Sequence, residues 1–240
     1  MEKKNTILLT VIAVATLLVA VVGATFAYFT ATTVGDENDG TAQTGTATSV
    51  GGVQLTMTAT DGDADMAYPG GYVVAGASVA AANSDDNNNY TTTFDLNGTI
   101  TNNTGTELKW YVYEVPAAID DPITAGSCER KEQTQANGTT RYWYEGCELD
   151  SGIATTSSAI KNGTVPAATG EGLTTPGTAT IKVEDEILEP TAGASATTYY
   201  YLVVEYPNNA STAQDADQGK TITAKLTTVD GASSVIKAGA

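Results

Sequence analysis

Tyr90-Thr91-Thr92-Thr93-Phe94-Asp95-Leu96-Asn97-Gly98-Thr99-Ile100-Thr101 decides the fold. Phe94, Leu96 and Ile100 fall on one side of this stretch and the odd-numbered polar residues on the other. That period of two belongs to a strand with one buried face, not to a helix. The same alternation runs through Val53–Ala59 (VQLTMTA). Leu108–Val115 (LKWYVYEV) and Arg141–Tyr144 are aromatic and β-branched, as are Thr178–Val183, Thr197–Tyr206 and Lys220–Val229. Such residues suit a pleated, half-buried surface. Tyr72–Ala82 is strand-like behind the turn Pro69-Gly70-Gly71. Turn clusters lie between the runs: Asn102-Asn103-Thr104-Gly105, Asn137-Gly138, Asn162-Gly163, Pro176-Gly177 and Asn208-Asn209. Short strands punctuated in this way predict an all-β, antiparallel sandwich, because single-faced strands must bury that face against a second sheet. Three stretches lack the pattern: Asp36–Ser49 reads as an extended linker, Ser84–Asn89 as a solvated loop, and Ser151–Thr175 as a long loop or short helix.

The first residues have another character. Lys3 and Lys4 precede an apolar run, Ile7–Gly23, that closes on Ala24-Thr25-Phe26-Ala27-Tyr28-Phe29. A positive start, an apolar centre and small residues at the −3 and −1 positions describe a secretory signal peptide, 1–27. Cleavage between Ala27 and Tyr28 puts Thr25 at −3, and Ala24 is the alternative last residue. An uncleaved anchor is the competing reading, since the run just reaches spanning length. Without it the body begins with an N-terminal arm and Thr/Gly-rich linker over 28–50, and the sandwich domain occupies 51–240.

Composition narrows the chemistry. The formal net charge is −17, so nucleic acid and anionic lipid are expected to be repelled, and membrane contact runs only through an uncleaved leader. There is no histidine, which removes Ser-His-Asp and Cys-His catalysis and the HExxH metal site. No catalytic residue, cofactor or resident metal is expected. Cys128 and Cys147 are the only two cysteines. In an exported chain such a pair forms a disulfide, and Asn137-Gly138 midway between them predicts a stapled hairpin.

Other constellations are weaker. Asp61-Gly62-Asp63-Ala64-Asp65 opens like a calcium loop but lacks the Gly and Glu that an EF-hand needs, leaving at most a weak calcium site. Asp120-Asp121 would point to opposite faces of a strand. Trp110, Trp143 and Tyr199-Tyr200-Tyr201 are either a sugar-stacking platform or core aromatics.

The junction Gly23-Ala24-Thr25-Phe26-Ala27-Tyr28-Phe29-Thr30 resembles the SipW-dependent leader of TasA and camelysin-like proteins of Gram-positive bacteria. Downstream, VQLTMTA, Pro69-Gly70, Ile100-Thr101-Asn102-Asn103 and Tyr206-Pro207-Asn208-Asn209 are similar more loosely. The resemblance implies a jelly roll, secretion to the extracellular matrix or cell surface, and self-association into fibres. In such fibres the N-terminal segment of one subunit adds a strand to the next, and Tyr28, Phe29 and Val34 are the residues expected to fill the acceptor. Two rivals stand beside this expectation: a carbohydrate- or adhesin-type binding module at the cell surface, and a secreted protease, which the absence of histidine disfavours.

Overall fold

The computed structural model describes residues 45–50, 53–60, 68–124, 126–134, 138, 140–154, 159–209, 214–217 and 219–237. The signal peptide, the cleavage pair Ala27 and Tyr28, the donor residues Tyr28, Phe29 and Val34, and the Asp61–Asp65 loop lie outside the described residues.

Among the described residues there are eleven strands: β1 Gly45–Val50, β2 Val53–Thr60, β3 Tyr72–Asn83, β4 Tyr90–Asn102, β5 Leu108–Val115, β6 Glu129–Thr134, β7 Thr140–Glu145, β8 Lys161–Val165, β9 Gly177–Leu188, β10 Ser195–Glu205 and β11 Ile222–Ile236. One α-helical turn, α1, spans Ser151–Ala154 and is capped by Asp150, whose Oδ1 accepts from the Gly152 amide at 2.7 Å, and a 3-10 turn spans Asp215–Asp217. The strands form a six-stranded sheet A in the order β1-β2-β3-β10-β5-β8, a three-stranded sheet B in the order β11-β4-β9, and the separate hairpin β6-β7. Every pairing is antiparallel.

The alternation read from the sequence is what joins the sheets. On β4, Tyr90, Phe94, Leu96 and Ile100 are buried, while Thr91, Thr93 and Asp95 face outward. They meet Val53, Leu55 and Met57 of β2, Leu202 and Val204 of β10, and Ile181 and Val183 of β9 in one core between the sheets. Phe94 meets Tyr200 edge-on at 6.3 Å.

Sheet A also carries a second, smaller core on its outer face. Val74, Val115, Tyr201 and Val203 are covered there by Ile123, Ile153 and the half-buried Ile119, Cys128 and Leu149. The chain segment between β5 and β8 supplies this cover. Tyr201 anchors it by accepting from the Ile119 amide at 2.7 Å and donating to the Ile119 carbonyl at 3.1 Å. β10 is therefore buried on both faces, which explains its unbroken apolar run YYYLVV.

Two readings are corrected. The linker expected over Asp36–Ser49 ends early, because Gly45–Val50 pairs with β2 as β1, so the sheet begins before residue 51. Asn162-Gly163 is not a turn but the middle of β8, paired with Tyr111 and Trp110. The ring of Trp110 occupies the space a side chain at 163 would need, since a Cβ there would sit 2.8 Å from it.

Candidate functional site

Sheet B has an open edge among the described residues. Among the described residues β9 pairs on one side only, with β4, along Gly177–Leu188. On the other flank of the sandwich β1 lies against β11. On this flank β8 is five residues long and pairs only with β5, so it does not close the gap. A row of unpaired N–H and C=O groups is a template for another strand. Its far half is altered: Asp185 has φ 60° at a bulge opposite Phe94 and Leu96. Asp95 secures that bulge, accepting from the Asp185 amide at 3.1 Å and pairing with Lys182 at 2.8 Å. The Lys182 ammonium beside Asp95 holds its carboxyl below the usual range. Charges and a bulge blunt Glu184–Glu186, leaving Gly177–Val183 as the regular part of the edge.

A pair of carboxylates lines the same flank. Glu186 of β9 accepts from the buried Tyr200 hydroxyl at 2.8 Å, and Glu114 of β5 accepts from Thr198 at 3.0 Å. Burial and the Glu114 charge push Glu186 upward, against the Tyr200 hydrogen bond, which pulls it down. Burial and the facing carboxylate also hold the Tyr200 phenol protonated well above its ordinary value. Asp120 and Asp121 lie in the loop after β5, outside any strand.

One end of the sandwich is tied by buried polar groups. Asp217 accepts from the Gly105 amide, from Thr106 Oγ1 at 2.7 Å and from the Tyr206 hydroxyl at 2.7 Å. Asn102 uses both ends of its amide, donating to the Thr106 and Pro166 carbonyls at 2.8 and 3.0 Å and accepting from Thr104. The turn after Ile100 and the segment after Tyr206 thus meet through Asp217. Every partner in this knot is satisfied within the protein, so it holds loops together and leaves little for a ligand.

The stapled hairpin is present. Cys128 and Cys147 are bonded, and β6 and β7 pair from Glu129↔Glu145 to Thr134↔Thr140. Tyr68 packs against Tyr142 and Tyr144 at 6.0 and 5.3 Å, and the Tyr144 amide donates to Pro69 at 2.8 Å. Gly70, at φ +91°, permits that approach, since a Cβ would lie 2.2 Å from the Tyr144 carbonyl.

Of the two readings of Trp110, Trp143 and Tyr199–Tyr201, the sugar-stacking platform does not form. Trp110 is buried between the sheets, Tyr200 and Tyr201 are buried on opposite faces of β10, and Trp143 sits on the hairpin under Arg141 with its Nε1–H given to Glu145 at 2.8 Å. A different set gathers on the outer face of sheet A: Tyr72, Tyr111, Tyr113 and Glu205. The alternation of LKWYVYEV places Tyr111 and Tyr113 on one face, but nothing local announces that Glu205, some ninety residues on, joins them. Among the described residues no three His, Cys, Asp or Glu side chains gather as a metal-binding group. Compared with protein-family models and with curated proteins, the chain matches none.

Proposed function

We propose that the chain is a secreted structural subunit of an extracellular fibre or biofilm matrix, built by strand addition between copies. The observation that carries this reading is the β9 edge, unpaired among the described residues, in a three-stranded sheet that faces six strands. The connectivity supports it further. We read the order β3-β10-β5-β8 opposite β4-β9 as a jelly roll that lacks, among the described residues, the two strands that would lie beside β9. Their place in the chain, between β5 and β8, is taken by the hairpin β6-β7 and the cover of the outer core. A sheet with a vacancy of this kind accepts a strand from elsewhere, with main-chain bonds giving affinity and alternate side chains entering pockets.

The N-terminal arm from Tyr28 is the donor in this reading, with Tyr28, Phe29 and Val34 as its apolar teeth, and cleavage after Ala27 frees it. Tyr28–Gly35 is uncharged and comparable in length to the regular edge Gly177–Val183. A head-to-tail contact that does not close on itself yields a filament. The test compares purified chains beginning at Tyr28 and at Asp36 by electron microscopy. Filaments are expected only from the first, and the second should remain a folded monomer; fibres formed without residues 28–35 overturn the mechanism.

A further inference from the structure

The small core on the outer face of sheet A covers Val74, Tyr201 and Val203. At its border, with Tyr72 of β3 and Tyr113 of β5 packed against it, the same face carries Glu205 on β10, Lys109 and Tyr111 on β5, and Asn162 on β8. The ladders set their places: Glu205 lies between Tyr72 and Lys109, and Tyr111 lies opposite Asn162. The rings of Tyr111 and Tyr113 are 6.3 Å apart and inclined by 33°. Asn162 and Lys109 are exposed, while Glu205 and the three tyrosines are partly buried.

The polar groups of this patch are incompletely used. Glu205 accepts a single hydrogen bond among the described residues, from the Tyr111 hydroxyl at 3.3 Å, although a carboxylate has about four acceptor sites. The Tyr72 and Tyr113 hydroxyls make none among the described residues. Burial and then the Glu205 charge push all three phenols upward, so they stay protonated and able to donate. Lys109 faces Glu205 across the ladder without pairing with it. Contrast Asp217, whose three donors leave little to offer.

A ligand that completes this patch needs a flat apolar face for the rings, hydroxyls to exchange with the phenols, and a positive charge for Glu205. The net charge of −17 favours a cationic polymer and repels an anionic one. We propose that the Tyr72–Tyr111–Tyr113–Glu205 patch binds an amine-bearing sugar unit of a glycan, with the ammonium on Glu205 and the sugar ring against Tyr111 and Tyr113. This site is independent of the fibre reading, because it lies on the opposite sheet from β9 and needs no second copy.

The probe is the glucosamine pentasaccharide, titrated calorimetrically into the protein, with the N-acetylated pentasaccharide and an alginate oligomer alongside. Binding is expected for the free-amine sugar alone. Glu205→Gln should weaken it about tenfold, as loss of a charge-assisted contact does, and Tyr111→Ala by several-fold. Glu171→Gln, which removes the same charge from the 169–175 turn, should change it less than about twofold by the same reasoning. Lys109→Ala should tighten it. Circular dichroism establishes that each variant retains its sheets. The proposal is overturned if no binding occurs, if the acetylated sugar binds as well, or if Glu205→Gln and Glu171→Gln weaken binding equally, which is the signature of diffuse attraction.

Discussion

Glu186 shows how one residue in this protein can work against its own fold. Its carboxyl is half-buried beside Glu114, with the Tyr200 hydroxyl as its donor. Burial raises its folded pKa above the unfolded value, so the folded state holds the proton more tightly. The stability this group contributes is therefore present below the unfolded carboxylate range and is lost as pH rises through the raised folded value. At neutral pH the ionised side chain is a cost, and Glu186→Gln should move the urea midpoint upward at pH 7 and leave it unchanged near pH 3. A lower midpoint at pH 7 would mean that the charge, through Tyr200, is a net support. Asp85 behaves in the opposite sense. Hydrogen bonds from Asn88, the Asn87 amide and Tyr90 hold its carboxyl below the usual range. What it contributes is present at neutral pH and is lost as acid titrates the carboxylate. Asp85 thus organises the Ser84–Asn89 loop, which the sequence marks only as solvated; its short-range turns are visible in SDDNNN, but its bond to Tyr90 and the reach of Asn83 to Thr191 at 2.9 Å are not.

Among the elements, strands with a clear alternation were legible and strands without one were not. β2, β4 and β5 follow directly from VQLTMTA, YTTTFDLNGTIT and LKWYVYEV, because burial of one face writes itself into the residue order. β1 is GTATSV and β8 is KNGTV; neither has an apolar face, and pairing with β2 and β5 makes them strands. The β9 edge was not legible either, since which strand lacks a neighbour depends on the whole topology. The hairpin was legible because two cysteines and Asn137-Gly138 constrain it locally. Its disulfide spans 19 residues. Removing both thiols as Cys128→Ala with Cys147→Ala should cost about 3 kcal/mol on the loop-entropy account. The loss should concentrate in β6-β7 and the small outer core that Cys128 borders. Native-state hydrogen exchange should show amides of 128–147 opening faster, while those of β3, β10 and β5 keep their protection. Equal acceleration throughout would mean that the hairpin is part of the main cooperative unit.

For the molecule as a whole, the excess of acids sets the response to salt. With 28 acidic and 11 basic residues, like charges crowd the folded state more than the expanded one. Raising salt from 0.01 M to 0.15 M shortens the screening length from about 30 Å to about 8 Å. The melting temperature should rise over that range, followed by circular dichroism at neutral pH. A fall would show that specific pairs such as Lys182 with Asp95 and Lys237 with Glu189 outweigh the diffuse repulsion.

β10 joins the two hydrophobic clusters through a single backbone, Tyr200, Leu202 and Val204 on one side and Tyr201 and Val203 on the other. It is also the strand between β3 and β5, so neither of those has its central neighbour until residues 195–205 arrive. Synthesis must therefore pass β3, β4, β5, β8 and β9 before the keystone is available. A nascent chain that stops short of residue 195 leaves β3 and β5 without the strand that joins them, so this topology delays collapse of both interiors until β10 has been made.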